Sequence, residues 1–329
     1  MPGRPTPPPA RSSPLPRPRS PLALARRGLA TVVSAAPYTG PPAKLWVQGA
    51  LVLGASLLFG LQLVSFKLSF AAIEPATLLG LRPLISLPLM LLLMRWAREP
   101  IAVERASLRR VLVPATLLTA SFITFLFAAH RLPVGLTSTL ISTTPIFSLA
   151  IGAALRLQRV GPVALLGAVA GVVGVAVATG AGGGGADALG LVLIALTNLF
   201  YAGSLVVYRK MQIRISSAMY LIVMMAECIV LFVPLAVVLD GFAMDWTWRA
   251  ALGFGYIVTF GQLGAYLLVV AIVRVAGAFQ SSLTTPLIPV FAILFAFLIL
   301  GDPLQWRELG GGALIIAGVV AALLPGRRA

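Results

Sequence analysis

The chain has 329 residues, of which 59% are hydrophobic and only 10% charged, and its mean hydropathy is +0.99. A soluble globular domain carries about 25% charged residues, so this composition excludes one and points to an all-α membrane protein. The net charge of +16 would suit nucleic acid in a soluble protein, but its placement follows membrane topology instead, and no nucleic-acid partner is expected.

Residues 1–44 are rich in Pro, Arg and Ser, contain no acid and hold no sustained apolar run. They read as a disordered cytoplasmic tail or, alternatively, as a transit-type segment. Ten apolar runs follow, near 45–67, 75–94, 110–130, 133–155, 161–179, 188–208, 216–239, 249–271, 276–300 and 308–325. Each is long enough to cross a hydrocarbon core of about 30 Å at about 1.5 Å per residue. With the first tail inside, the cytoplasmic segments hold 20 of the 25 Lys and Arg. Without residues 1–44 the ratio is still 13 to 4, which places both termini in the cytoplasm. All five tryptophans, Trp46, Trp96, Trp246, Trp248 and Trp306, fall at span ends, where interfacial anchors belong. The lone Cys228 allows no intrachain disulfide, and the single histidine gives no basis for a histidine metal site or a catalytic triad.

Gln62 in the first span, Asn198 in the sixth and Gln262 in the eighth are uncharged polar groups in apolar surroundings, read either as interhelical bonds or as ligand contacts. Arg82 lies in the second span. It keeps its proton, so it needs a partner, a watery cavity or a route to the interface; a forked bond to a substrate carboxylate is one reading. Glu227 lies about eleven residues into the seventh span, and an acid at that depth is either a proton-coupling or substrate group or a neutral structural one. Because the second and seventh spans are equivalent in a repeat, these two charges are candidates to approach one another.

Thr143-Thr144-Pro145 in the fourth span recurs as Thr284-Thr285-Pro286 in the ninth, 141 residues later, and at the same offset Gly49 meets Gly190 and Leu58-Phe59 meets Leu199-Phe200. A mid-span proline frees one carbonyl, that of Ile141 in the first copy and of Ser282 in the second. Such a break is tolerated inside protein or beside a watery cavity. Thr144, Pro145, Thr285 and Pro286 are therefore candidate cavity residues, the threonines either bonding the freed carbonyls or facing a substrate. Each copy holds five spans, an odd number, so the second copy enters from the opposite side. The expected fold is ten transmembrane helices in two inverted-topology five-helix repeats, residues 45–180 and 188–325, joined by a Gly-rich linker at 181–187 and followed by a tail at 326–329.

The run Phe59 to Lys67, Arg82 after Pro75, and Thr-Thr-Pro followed by a glycine-rich span in both halves resemble the EamA-type permeases of the drug/metabolite transporter superfamily. The likeness covers about residues 45–325. The second copy carries Gly301-Asp302 after its proline-bearing span, where the first has Gln158-Arg159 in place of the acid that is common in the family. The resemblance implies a ten-span carrier that moves small metabolites, often outward, through a cavity between the halves. The glycine series Gly167, Gly171, Gly174 and Gly310 to Gly312, Gly318 suits close helix packing and matches neither a Walker loop nor a dinucleotide fingerprint. No cofactor and no enzymic activity are expected; transport would be driven by a gradient or by exchange.

The resulting expectation is a secondary transporter of a small organic metabolite in a bacterial inner (plasma) membrane, efflux favoured over uptake, with Glu227 as the proton-coupling candidate. Its partners would be the substrate and membrane lipid, with homodimerisation left open. An exchanger of sugar phosphates or nucleotide sugars and a non-transporting scaffold are the alternatives. A polar cavity open to one side supports a carrier, and a sealed apolar core supports a scaffold.

Overall fold

An apolar chain in lipid has no water to bond its N–H and C=O groups, so it satisfies them internally by coiling into helices. The computed structural model describes residues 44–97, 105–156, 162–179, 187–211, 217–276 and 284–323, and these residues are helical with short turns between. The first half contains α1 (Leu45–Phe70), α2 (Pro75–Ala97), α3 (Arg105–Arg131), α4 in two pieces (Val134–Ile141 and Thr144–Ala154) and α5 (Pro162–Thr179). The second contains α6 (Ala188–Lys210), α7 (Ser217–Asp240), α8 (248–276), α9 (284–300) and α10 (Trp306–Leu323). Seven of these, α1 to α4 and α6 to α8, are long and apolar enough to cross a membrane, while Leu165–Ala178 and Thr284–Leu300 are shorter apolar helices. The expected tails and connector lie outside the described residues, except for Lys44 and Asp187.

Three helices depart from regular α geometry. In α4, Ser142 and Thr143 separate the two pieces, because Pro145 has no N–H to continue the ladder. In α8, Ile257–Gly264 widens into a π-helix, a distortion that needs a local reason in a membrane helix. In α9, a second π segment, Ala296–Leu300, precedes Gly301, whose φ of +73° closes the helix in the left-handed conformation that glycine adopts without a Cβ penalty.

The helices pack in pairs that exchange the two halves. α2 packs on α7 and α5 on α10; α3 packs on α6 as α1 does on α8, and α4 packs on α6 as α1 does on α9. Shifting each number by five maps this set onto itself, which is the signature of a pseudo-two-fold axis. Equivalent helices run antiparallel. Thr77 at the start of α2 donates its backbone N–H to Asp240 Oδ2 at the end of α7 (2.7 Å), while Gly80 meets Phe232 and Ala236. On the other pair, Gly174 of α5 lies against Gly311 and Ile315 of α10, and Gly318 lies against Gly167 and Gly171. A Cβ on Gly311 would sit 2.5 Å from the backbone of Gly174 and Ala178, so only glycine lets the α5 and α10 backbones approach this closely.

One end of the bundle gathers the C-termini of α1, α3, α5, α7 and α9 and the N-termini of α2, α4, α6, α8 and α10. Contacts tie it together there: Arg131 Nη1 to Asp187 Oδ2 at 2.9 Å, Asp245 N to Ala72 O at 3.0 Å, and Gly135 against Glu308 and Ile293. The main core of Phe66, Leu78, Leu126, Met224, Met225 and Phe232 fills the space between α1, α2, α3 and α7.

Candidate functional site

The break in α4 is built from hydroxyl chemistry and one asparagine. Pro145 frees the carbonyl of Ile141, and Thr144 Oγ1 sits 2.7 Å from that oxygen, so the threonine bonds the group the proline released. Asn198 of α6 holds the same break from outside. Its Nδ2 donates to Leu140 O (3.0 Å) and to Thr143 Oγ1 (3.1 Å), and its Oδ1 lies 2.6 Å from Thr144 Oγ1. Asn198 thus spends both amide hydrogens on the break, while its Oδ1 and Ile141 O share the single hydroxyl proton of Thr144. Pro145 is half-buried and Pro286 buried, so neither faces outward.

The equivalent break in α9 is described from Thr284 onward. Ser56 of α1 donates to Val52 O (2.8 Å) and reaches Thr284 O (3.1 Å), and Thr284 Oγ1 is buried without a hydrogen bond. Thr285 is half-buried. Ser282, whose carbonyl Pro286 frees, is outside the described residues.

Arg82 and Glu227 do not form the ion pair that their equivalence suggested. The Arg82 guanidinium lies 4.3 Å from the centre of the Phe122 ring, beside Cys228, with the residue only 2% exposed and Nε unpartnered. It reaches no interface. Glu227 is half-buried on the flank where α7 meets α3 and accepts a short hydrogen bond from Thr116 Oγ1, leaving Oε2 buried and free of hydrogen bonds. Gln62 lies over Gly261 in the π segment of α8, where a Cβ would sit 2.8 Å from its Cγ. The next residue, Gln262, is buried with Oε1 unpartnered. The nine residues singled out from the sequence therefore fall into three groups, at the α4 and α9 breaks, at the junction of α2, α3 and α7, and between α1 and α8.

A cavity of about 380 Å³ lies elsewhere, at the bundle end that holds Lys67, Arg131 and Asp302. It opens between the halves, walled by the end of α1, the α3–α4 turn and Gly135 on one side and by Ile293, Ala296, Leu300 and the turn into α10 on the other. Its depth is closed by a crevice of Leu63, Lys67, Ala129, Val134 and Thr137 that has no room for water. Lys67 Nζ donates to His130 O at 3.0 Å, and Arg131 is paired with Asp187. Asp187 also accepts from Gly190 N–H at 2.9 Å; that bond first, and the Arg131 guanidinium second, hold its carboxyl below the usual carboxylate range. Glu308, in the first turn of α10, faces the cavity and is 7% exposed. None of the nine sequence candidates lines this space. Lys67 and Asp302 were visible in the sequence as family-like positions, whereas Glu308 gave no signal beyond being an acid at the edge of the last apolar run.

A comparison with curated proteins finds no match. A solved structure described only as "Crystal structure of protein" is similar over 85% of this chain and 97% of its own, at 17% identity and a TM-score of 0.59, which supports the fold alone. The model of the EamA-like transporter family matches residues 48–180 and 188–324, one segment for each half. With both halves matched and the helices long, apolar and paired about a pseudo-two-fold axis, the chain is a multi-pass integral membrane protein and belongs to the EamA-like transporter family, a branch of the drug/metabolite transporters.

Proposed function

We propose that this protein is a secondary transporter that carries a small organic metabolite across a bacterial inner membrane by alternating access. In this reading the chain crosses the bilayer ten times, as two inverted five-helix halves with both termini in the cytoplasm, and the cavity is the outward vestibule. The observation that carries it is the cavity itself: lined by charged and apolar side chains together, placed between the halves and bordered by the dry crevice of Leu63, Ala129, Val134 and Thr137. A scaffold has no need of such a space. Its volume stands at the low end of the range of about 300–1,000 Å³ typical of small-molecule sites, which favours a small cargo.

Opening the opposite side requires the halves to rock about the seal, with the broken middles of α4 and α9 absorbing the bend. Net efflux is the direction that family membership favours. Glu227 is the proton-coupling candidate, because its Oε2 is buried without a bond while Oε1 is held by Thr116. Arg82 is a buried cation lacking a carboxylate among the described residues, and in the alternate state it is free to meet an anionic group. The exchanger of phosphorylated sugars is disfavoured by the vestibule, where Arg131 is already paired and Asp302 and Glu308 repel a dianion.

The test is efflux from sealed proteoliposomes loaded with a defined mixture of amines, amino acids, organic acids and nucleosides, read by mass spectrometry. A carrier releases one class faster than protein-free vesicles do. Glu227→Gln is expected to keep exchange while losing acceleration by a proton gradient, and unchanged coupling in that variant removes Glu227 from the mechanism.

A further inference from the structure

We infer that the vestibule is a receptor for an organic ammonium group, with the Glu308 carboxylate as its counter-ion; this rests on reading the cavity as a substrate site. Glu308 is 93% buried by its 7% exposure, lines the cavity, and makes no hydrogen bond or ion pair among the described residues. The residue is enclosed by the fold and its carboxylate is left facing the cavity, so a cation there would supply the partner that the described residues do not. The cations nearby are occupied or turned elsewhere. Arg131 is bound to Asp187, Lys67 donates to His130 O and feels the field of Asp302, and Arg307 acts on Glu308 through its charge without closing to ion-pair distance.

The backbone makes room for this carboxylate. A Cβ on Gly135 of α4 would stand 2.2 Å from Glu308 Oε2 and 3.3 Å from Ile293 Cγ1, so the glycine is what lets the acid reach the cavity wall from across the two halves. The bundle end around the opening is itself acidic: Glu74, Asp187, Asp240, Asp245, Asp302 and Glu308 are six of the nine acids in the chain, against Lys67, Arg131, Arg249 and Arg307. That field draws cations toward the vestibule. Apolar walls from Ile293, Ala296 and Leu300 suit a short hydrocarbon body behind the ammonium.

The test is equilibrium binding to the full chain in lipid nanodiscs, with three probes of one shape: isoamylamine, leucine and 4-methylpentanoate. Isoamylamine and leucine are expected to bind, and 4-methylpentanoate at least tenfold more weakly. Glu308→Gln is expected to weaken isoamylamine at least tenfold, about 1.4 kcal/mol. Gly135→Ala, which displaces the carboxylate without removing it, is expected to weaken it as well and decides the matter if Glu308→Gln does not fold. Equal binding of the acid and the amine, or unchanged isoamylamine affinity in the folded variant, overturns the assignment. Amine bound by a protein that releases no solute in the vesicle assay refutes the carrier and leaves this site standing. Solute released by a protein that binds no amine refutes this site and leaves the carrier standing.

Discussion

The two broken helices make an instructive pair. They share the Thr-Thr-Pro phrase at an offset of 141 residues, and among the described residues they meet different partners. Asn198 reaches three groups of the α4 break, while the residue 141 positions earlier is Leu57, and the neighbouring Ser56 supplies the hydrogen bond from α1 to Thr284 O. The α9 side also ends in a π segment and in the left-handed Gly301. Among the described residues, equal sequence at the break therefore meets different partners, because the neighbouring helix supplies the bond.

The α5–α10 seam is the symmetric counterpart against which that difference is measured. Gly174→Val and Gly311→Val each drive a branched side chain into backbone 2.5–2.9 Å away. Both are expected to lower stability by about 3 kcal/mol, at the upper end of overpacking costs, and by similar amounts, as read by unfolding titrations in mixed micelles. Losses near zero would mean that the two backbones are not in close contact at this seam.

Next in size is Asn198→Leu, which puts the leucine of the other half into the α4 clamp. It leaves Leu140 O and Thr143 Oγ1 without their interhelical donor, and a loss of about 1–3 kcal/mol is expected in the same titration. Hydrogen exchange should then spread to residues 140–146. Ser56→Ala is expected to cost about 0.6 kcal/mol, the average for an interhelical bond in a membrane protein. If the two variants cost the same, the contrast between α4 and α9 fails.

The smallest effect belongs to the rim. Asp187 is depressed in the folded chain by Gly190 N–H and Arg131, so it contributes stability above the ordinary carboxylate range that is lost as pH falls through its lowered value. Asp187→Asn should flatten that acid limb of the stability profile, measured from pH 6 downward, and lower the neutral-pH midpoint by the same amount, which is small because the pair is exposed.

Much of this arrangement was legible in the residues. A proline in a membrane helix must release a carbonyl, and a threonine beside it is the obvious donor; Thr144 and Ile141 fulfil that expectation directly. The glycines of α5 and α10 announced a close seam for the same reason of elementary geometry. What the residues withheld was direction around each helix. Depth along a span follows from counting, but azimuth does not, so Arg82 and Glu227 sit on paired helices while one lies on Phe122 and the other on Thr116. The cavity was hidden for a related reason. It arises where helix ends splay around Gly135 and Glu308, residues 173 positions apart, whose meeting no local pattern records.

The central claim is that the seal beneath the vestibule opens to the other side. With Cys228→Ser as background, the thiol in Thr137→Cys lies in the dry crevice below the cavity. A membrane-impermeant thiol reagent, applied to right-side-out and to inside-out vesicles, should modify it from both sides, faster from the vestibule side. Modification from one side alone, at every temperature and solute concentration that supports release, would contradict alternating access.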